Sequence, residues 1–162
     1  MSNLHPDAPY DACNAVLNVA RSAFTNKELQ SYDSYVALEP PAEDCCGLLV
    51  AYTSGITPSF GIDENRDFGV YVYTIEIVIA LRECTPPLKS DGSPPSGTEI
   101  NTYAKKSSQN ACRIINAILC ARKAGNFIPS WECTFSTPPY AQVVEELGQC
   151  AGWDISMALE LT

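Results

Sequence analysis

The sequence predicts an α+β fold of two layers, a mainly antiparallel sheet packed with an N-terminal helix and one long helix. Three observations predict it. The chain closes on the alternation Trp153-Asp154-Ile155-Ser156-Met157-Ala158-Leu159-Glu160-Leu161, which puts apolar side chains on one face of a strand and an acidic surface on the other. The run from Val70 to Leu81 is rich in β-branched and aromatic residues. Two further stretches, Pro9 to Phe24 and Glu99 to Lys123, repeat apolar residues at three- and four-residue steps. At 162 residues with 46% hydrophobic content, residues 1–162 fit a single domain able to bury its own core.

Taken in order, Cys13, Val16, Leu17, Ala20 and Phe24 form the packing stripe of the first helix. A short extended piece, Tyr35 to Leu38, stops at Pro40-Pro41. Cys46 to Ile56 reads as a strand ended by Gly55 and Pro58, and Ser59 to Asp67 as an exposed, mobile loop. In the central strand Tyr71, Tyr73, Ile75, Ile77, Ile79 and Leu81 share one face. The other face holds Val70, Val72, Thr74, Glu76, Val78 and Ala80, apolar enough to predict cover by another element or another subunit. Glu76 is its exception, read as a carboxylate at a solvated sheet edge.

The prolines of Thr85 to Gly97 predict a stiff projecting loop. Thr98 is placed to cap the long helix, whose buried stripe is Ile100, Tyr103, Ala104, Ala111, Ile114, Ile115, Ile118 and Leu119. Arg122 and Lys123 suit its last turn, and Gly125 ends it. Ile128 to Thr137 reads as a strand stopped by Pro138-Pro139, and Tyr140 to Leu147 as helical or irregular.

Ten Lys and Arg against nineteen Asp and Glu give a net charge of -9, which disfavours gripping phosphate but would let a nucleic acid strand slide past. The N-terminal residues lack the pattern of a secretory signal, which predicts a cytoplasmic origin, and no apolar run reaches the roughly 20 residues of a membrane helix. The eight cysteines include no Cys-x-x-Cys pair and the chain has one histidine, His5, so no zinc pattern is present. Small buried thiols are the simplest reading of most of them. Later exposure to oxidising surroundings would allow one or two bridges.

Catalysis finds little footing. His5 lies near a chain terminus, away from any nucleophile. Cys45-Cys46 follow Glu43-Asp44, which would raise a thiol pKa. The acid pairs Asp63-Glu64 and Glu145-Glu146 read as solvated charge, nucleotide-cradling glycine patterns are missing, and no basic residues interleave Tyr32, Tyr35, Tyr71 and Tyr73. No cofactor is implied, and the chain reads as a non-enzyme.

The order of segments resembles the tail-terminator proteins of long-tailed bacteriophages, especially those infecting actinobacteria. Its parts are Cys46-Gly47-Leu48-Leu49-Val50, the long loop, Thr74-Ile75-Glu76-Ile77-Val78-Ile79-Ala80-Leu81-Arg82-Glu83-Cys84 with Pro86-Pro87, and Asp91-Gly92-Ser93-Pro94-Pro95-Ser96. The long helix ending near Cys120 and the closing Gly148-Gln149-Cys150-Ala151-Gly152-Trp153 complete it, over about residues 45 to 161. The chain departs from the pattern at Gln149, where glycine is common, and in its cysteines at Cys45, Cys112 and Cys133.

The resemblance implies a structural virion protein at the head-tail junction, assembled in the host cytoplasm. Its hexameric ring would end growth of the tail tube and present a surface to the head connector, or stopper, while DNA passes through without specific binding. On that reading Glu76, Asp154 and Glu160 are candidates for an acidic lumen. Phe60, Asp63, Glu64, Arg66, Asp67, Lys89 and Asp91, on the two loops, are candidates for contacts with neighbouring copies, tube protein or connector. The alternatives are another head-to-tail connector, a small cysteine- or carboxylate-dependent enzyme, and a disulfide-stabilised ligand-binding module.

Overall fold

The computed structural model describes residues 5–24, 32–41, 47–61, 70–84, 86, 88–123, 135–136, 139–144 and 148–161. Its elements are α1 (Ala8–Ser22), β1 (Asp33–Ala37), β2 (Leu48–Gly61), β3 (Val70–Cys84), α2 (Gly97–Lys123), β4 (Phe135–Ser136), β5 (Pro139–Val144) and β6 (Gly148–Leu161). The strands form one sheet in the order β1-β2-β3-β6, with β4 and β5 both pairing with the outer side of β6. β1 runs parallel to β2 and every other pairing is antiparallel. The predicted α+β architecture, with an N-terminal helix and a long helix on a mainly antiparallel sheet, is therefore the one observed.

The core lies between one sheet face and both helices. Ile75, Ile77, Ile79 and Leu81 of β3, with Ile155, Met157 and Leu159 of β6, meet Cys13, Val16, Leu17 and Ala20 of α1 and Ile114 and Ile118 of α2. These are the odd-numbered strand residues and the helical repeats that periodicity selects, so the core follows from binary pattern alone. Pro9 stands in the first turn of α1, where its missing N–H leaves no bond unmade. Gly47 has φ 76°, a turn conformation that glycine adopts at little cost, and its N–H reaches the Arg82 carbonyl at 3.2 Å as the chain enters β2.

Several boundaries differ from expectation. β2 does not stop at Gly55 or Pro58. Gly55 marks a register shift after Thr53, and Pro58 pairs with Tyr73 inside the strand. The neighbour β1 ends opposite Tyr52, so from Thr53 onward β2 has an open outer edge among the described residues, the setting in which a strand tolerates proline. Ser59 to Gly61, expected in the loop, are thus part of β2, and the rest of that expected loop to Asp67 lies outside the described residues. Pro139 opens β5 rather than ending a strand, and Tyr140 to Val144, expected helical or irregular, are extended against β6. Of the predicted strand Ile128 to Thr137, Phe135 and Ser136 are described, as β4.

The long helix is capped by Ser96, not Thr98. The Ser96 backbone N–H donates to Glu99 Oε2 at 2.7 Å, and Ser96 Oγ accepts from the Glu99 N–H at 3.3 Å, the reciprocal arrangement of a capping box. The Ser96 hydroxyl and backbone bonds hold the Glu99 carboxyl below its ordinary range. Ile100 is 49% exposed and Ala104 is exposed; the buried stripe starts at Ser107 and continues through Asn110, Ala111, Ile114, Ile118 and Ala121. Ile115 and Leu119 flank it, half-buried.

Candidate functional site

The face of the sheet turned away from the helices divides into two halves. Toward the β3 C-terminus it is closed: Val50, Val78, Ala80, Arg82 and Cys150 are buried. The Arg82 side chain, 4% exposed, donates from Nη2 to Asp154 Oδ1 at 2.7 Å and from Nη1 to the carbonyls of Leu81 and Trp153 at 3.3 and 3.4 Å. Arg82 and Asp154 project on the same side of adjacent strands, since Ala80 pairs with Asp154 and Arg82 with Gly152. Tyr52 lies beside this pair. Burial first, then the charge of Asp154, raise its phenol pKa, with Arg82 opposing. Two residues further along β3, Cys84 stands in register with Cys150, and each of these two cysteines is disulfide-bonded.

Toward the other end the same face opens. Glu76 and Glu160 are exposed there, and they are diagonal neighbours, since Glu76 pairs with Ala158 and Thr74 with Glu160. A Cβ on Gly55 would lie 3.0 Å from Glu76 Oε2, so glycine leaves room for that carboxylate. Glu76 thus stands on the central strand β3 and not at a sheet edge, as the sequence had suggested. The three lumen candidates share one face, as their even numbering predicts. They are chemically unequal: Glu76 and Glu160 face solvent, while Asp154 is held by a buried guanidinium.

The interface candidates fall at opposite ends of the sheet. Phe60, 60% exposed, and Ile56, 43% exposed, lie on the arm that β2 and β3 extend beyond the helices, on its helix-side face. Lys89 and Asp91 are exposed in the turn that follows β3, closed by Gly92 N–H to Lys89 O at 2.8 Å and Lys89 N–H to Ser93 O at 2.9 Å. Bonds from Ser93 depress the Asp91 carboxyl pKa. From Phe60's partner Tyr71 to Cys84 the strand runs about 40 Å, so the two groups cannot form one site within a single copy. Asp63, Glu64, Arg66 and Asp67 lie outside the described residues, as do Cys45, Cys46, Glu145 and Glu146.

Sequence reading missed a buried polar cluster on the core side. Glu83, 4% exposed, accepts at Oε1 from Asn110 Nδ2 at 2.8 Å and from the Tyr32 hydroxyl at 3.2 Å. Trp153 Nε1 donates to Ser107 Oγ at 3.0 Å. Glu83 Oε2 and the Tyr103 hydroxyl are buried without a hydrogen-bond partner among the described residues. Burial, then the nearby Glu83 charge, push the Tyr103 phenol up to about 12, with Ser107 acting weakly the other way. The signal was present in Arg82-Glu83-Cys84, three polar or thiol residues finishing an apolar strand, one pointing to each layer in turn.

A cleft of about 590 Å³ opens between the end of α1 and the starts of β1 and β2, lined by Asn18, Arg21, Phe24, Tyr32, Ser34 and Leu49. The Tyr32 hydroxyl ties its wall to the Glu83 cluster. The described residues include no group of His, Cys, Asp and Glu arranged to hold a metal ion, and no helix long and apolar enough to cross a membrane. His5 is exposed, its Nδ1 3.9 Å from Asp7. Burial raises the pKa of the Cys13 thiol, against a 3.3 Å hydrogen bond with Thr53 Oγ1, which makes it a poor nucleophile. The other free thiols among the described residues, Cys112 and Cys120, are exposed on α2 and not buried as small hydrophobes.

No protein-family model matches the chain, and no curated protein matches it significantly.

Proposed function

We propose that this chain is a structural virion protein of the tail-terminator kind, acting in assembly and not in catalysis. Copies form a ring, of six on the resemblance, that caps the head-proximal end of a tail tube, ends its polymerisation and joins it to the head connector. DNA passes through without specific binding, and no cofactor takes part. The observation that carries this reading is the arm of β2 and β3: it stands beyond the helices with Ile56 and Phe60 exposed on one side and Glu76 toward the other. Exposed apolar side chains on a projecting element mark a surface that meets another protein, and solvent-facing acids on the opposite side repel phosphate.

Light scattering on the purified protein, with images of particles carrying a label on it, tests the proposal. A six-fold ring at the top of the tail tube is the expected result. Absence of the protein from every particle overturns it. A ring in the neck but not on the tube would assign it to another head-to-tail connector.

The cleft beside Arg21 and the disulfide-bonded state of Cys84 and Cys150 favour one second reading, a disulfide-stabilised module that binds a small ligand. Thermal-shift measurements with small carboxylates and phosphates discriminate, since ligand binding to the native state raises Tm in proportion to log concentration.

A further inference from the structure

Charge is divided between the two flanks of the molecule. α2 holds five of the chain's ten lysines and arginines and one acid, Glu99, a net of +4. The remaining 135 residues carry five cations and eighteen acids, -13. The fold turns this division into direction. α1 packs over β1 and β2 at one side of the sheet, whereas α2 packs against α1 and β6 toward the other. On the first flank Asp11, Asp33 and Glu39 are exposed, and Arg21 is the one lysine or arginine among its described residues 5–24 and 32–41. On the second, Lys105, Lys106 and Arg113 are exposed along α2. Positions 106 and 113 lie seven residues apart, on one helix face. Lys105 and Arg113 are in no ion pair among the described residues.

We propose that copies of this chain associate head to tail, the acidic α1–β1 flank of one against the basic α2 flank of the next. Opposite charges on opposite flanks give a heterologous contact, the kind that generates a ring when its rotation closes. A two-fold pairing would instead set like flank against like and be repelled. The proposal deepens the ring reading by naming the faces that meet. It rests on that reading only for the number of copies.

Two charge-reversed double variants test it by sedimentation velocity: Asp33→Lys with Glu39→Lys, and Lys105→Glu with Arg113→Glu, each checked for native circular dichroism. Wild type is expected to self-associate at 50 mM salt and to lose about tenfold in affinity by 500 mM, as rim charges do. Each variant alone is expected to remain monomeric where wild type assembles. An equal mixture should assemble again, because its reversed flanks are complementary. If a reversal prevents folding, the neutral versions Asp33→Asn with Glu39→Gln, and Lys105→Gln with Arg113→Gln, should show a smaller loss of the same kind. Wild type that stays monomeric at every concentration at low salt, a variant that assembles like wild type, or a mixture that does not recover overturns the proposal. Salt-dependent head-to-tail oligomers of a protein absent from phage particles would leave the flank pairing standing and remove the tail-terminator reading instead.

Discussion

The two ends of the β2–β3 hairpin are built from similar residues and do opposite things. At the Cys84 end both faces are closed: Ile79 and Leu81 meet the helices, Val50 and Ala80 are fully buried on the other side, Cys84 and Cys150 are each disulfide-bonded, and an ion pair joins β3 to β6. At the arm end the helices no longer cover the sheet, β1 has stopped, and Ile56, Phe60, Glu76 and Glu160 meet solvent. A strand closed on both faces is a scaffold whose side chains are constrained by neighbours. One left open is free to carry recognition, because changing it costs the fold little.

The sharpest way to break the closed end is Gly152→Ala. A Cβ there would sit 1.9 Å from the Leu81 carbonyl oxygen, a backbone atom that can move only if β3 and β6 separate. Loss of about 4 kcal/mol, or failure to fold, is expected by urea denaturation. A cost under about 1 kcal/mol would mean that the two strands are not held at this spacing.

Next in size is Asp154→Ala, which leaves the Arg82 guanidinium buried without its carboxylate. Removing one partner of a buried pair costs about 3 kcal/mol, here at the lower end because the Asp154 side chain is 26% exposed. Replacing both residues, Arg82→Met with Asp154→Leu, is expected to recover most of the loss. If the double variant is no more stable than Asp154→Ala, the bonds from Arg82 to the Leu81 and Trp153 carbonyls matter more than the ion pair.

The same contrast governs what was legible in the sequence. Core positions obey a period set by local geometry, so Ile75, Ile77, Ile79, Leu81, Ile155, Met157 and Leu159 could be assigned to one face before any pairing was known. That Arg82 reaches Asp154, that Cys84 stands in register with Cys150, and that Asn110 reaches Glu83 all depend on register and helix placement. These set separations of 27 to 72 residues that no local pattern encodes. Pro58 and Pro139 misled for a related reason: a proline ends a strand only where a neighbour needs its N–H, and β1 stops short of one while β5 opens with the other. For the candidate site, parity placed Glu76, Asp154 and Glu160 on one face. It could not show that a buried arginine had claimed the middle member of the set.

The smallest expected stability effect belongs to the arm, and it sharpens the comparison most. Ile56→Ser with Phe60→Ser removes two large apolar side chains that are 43% and 60% exposed, so the monomer should lose at most about 0.5–1 kcal/mol in urea denaturation. The same variant should fail to enter assembled particles if the arm is a contact surface, because apolar side chains buried between proteins contribute what they cannot contribute in solvent. The two measurements separate the roles. A large stability loss would place these residues in the fold's own core, while an unchanged stability with normal incorporation would leave the arm without a partner. Only the combination of an intact monomer and lost assembly fits an element that the fold displays and a neighbour completes.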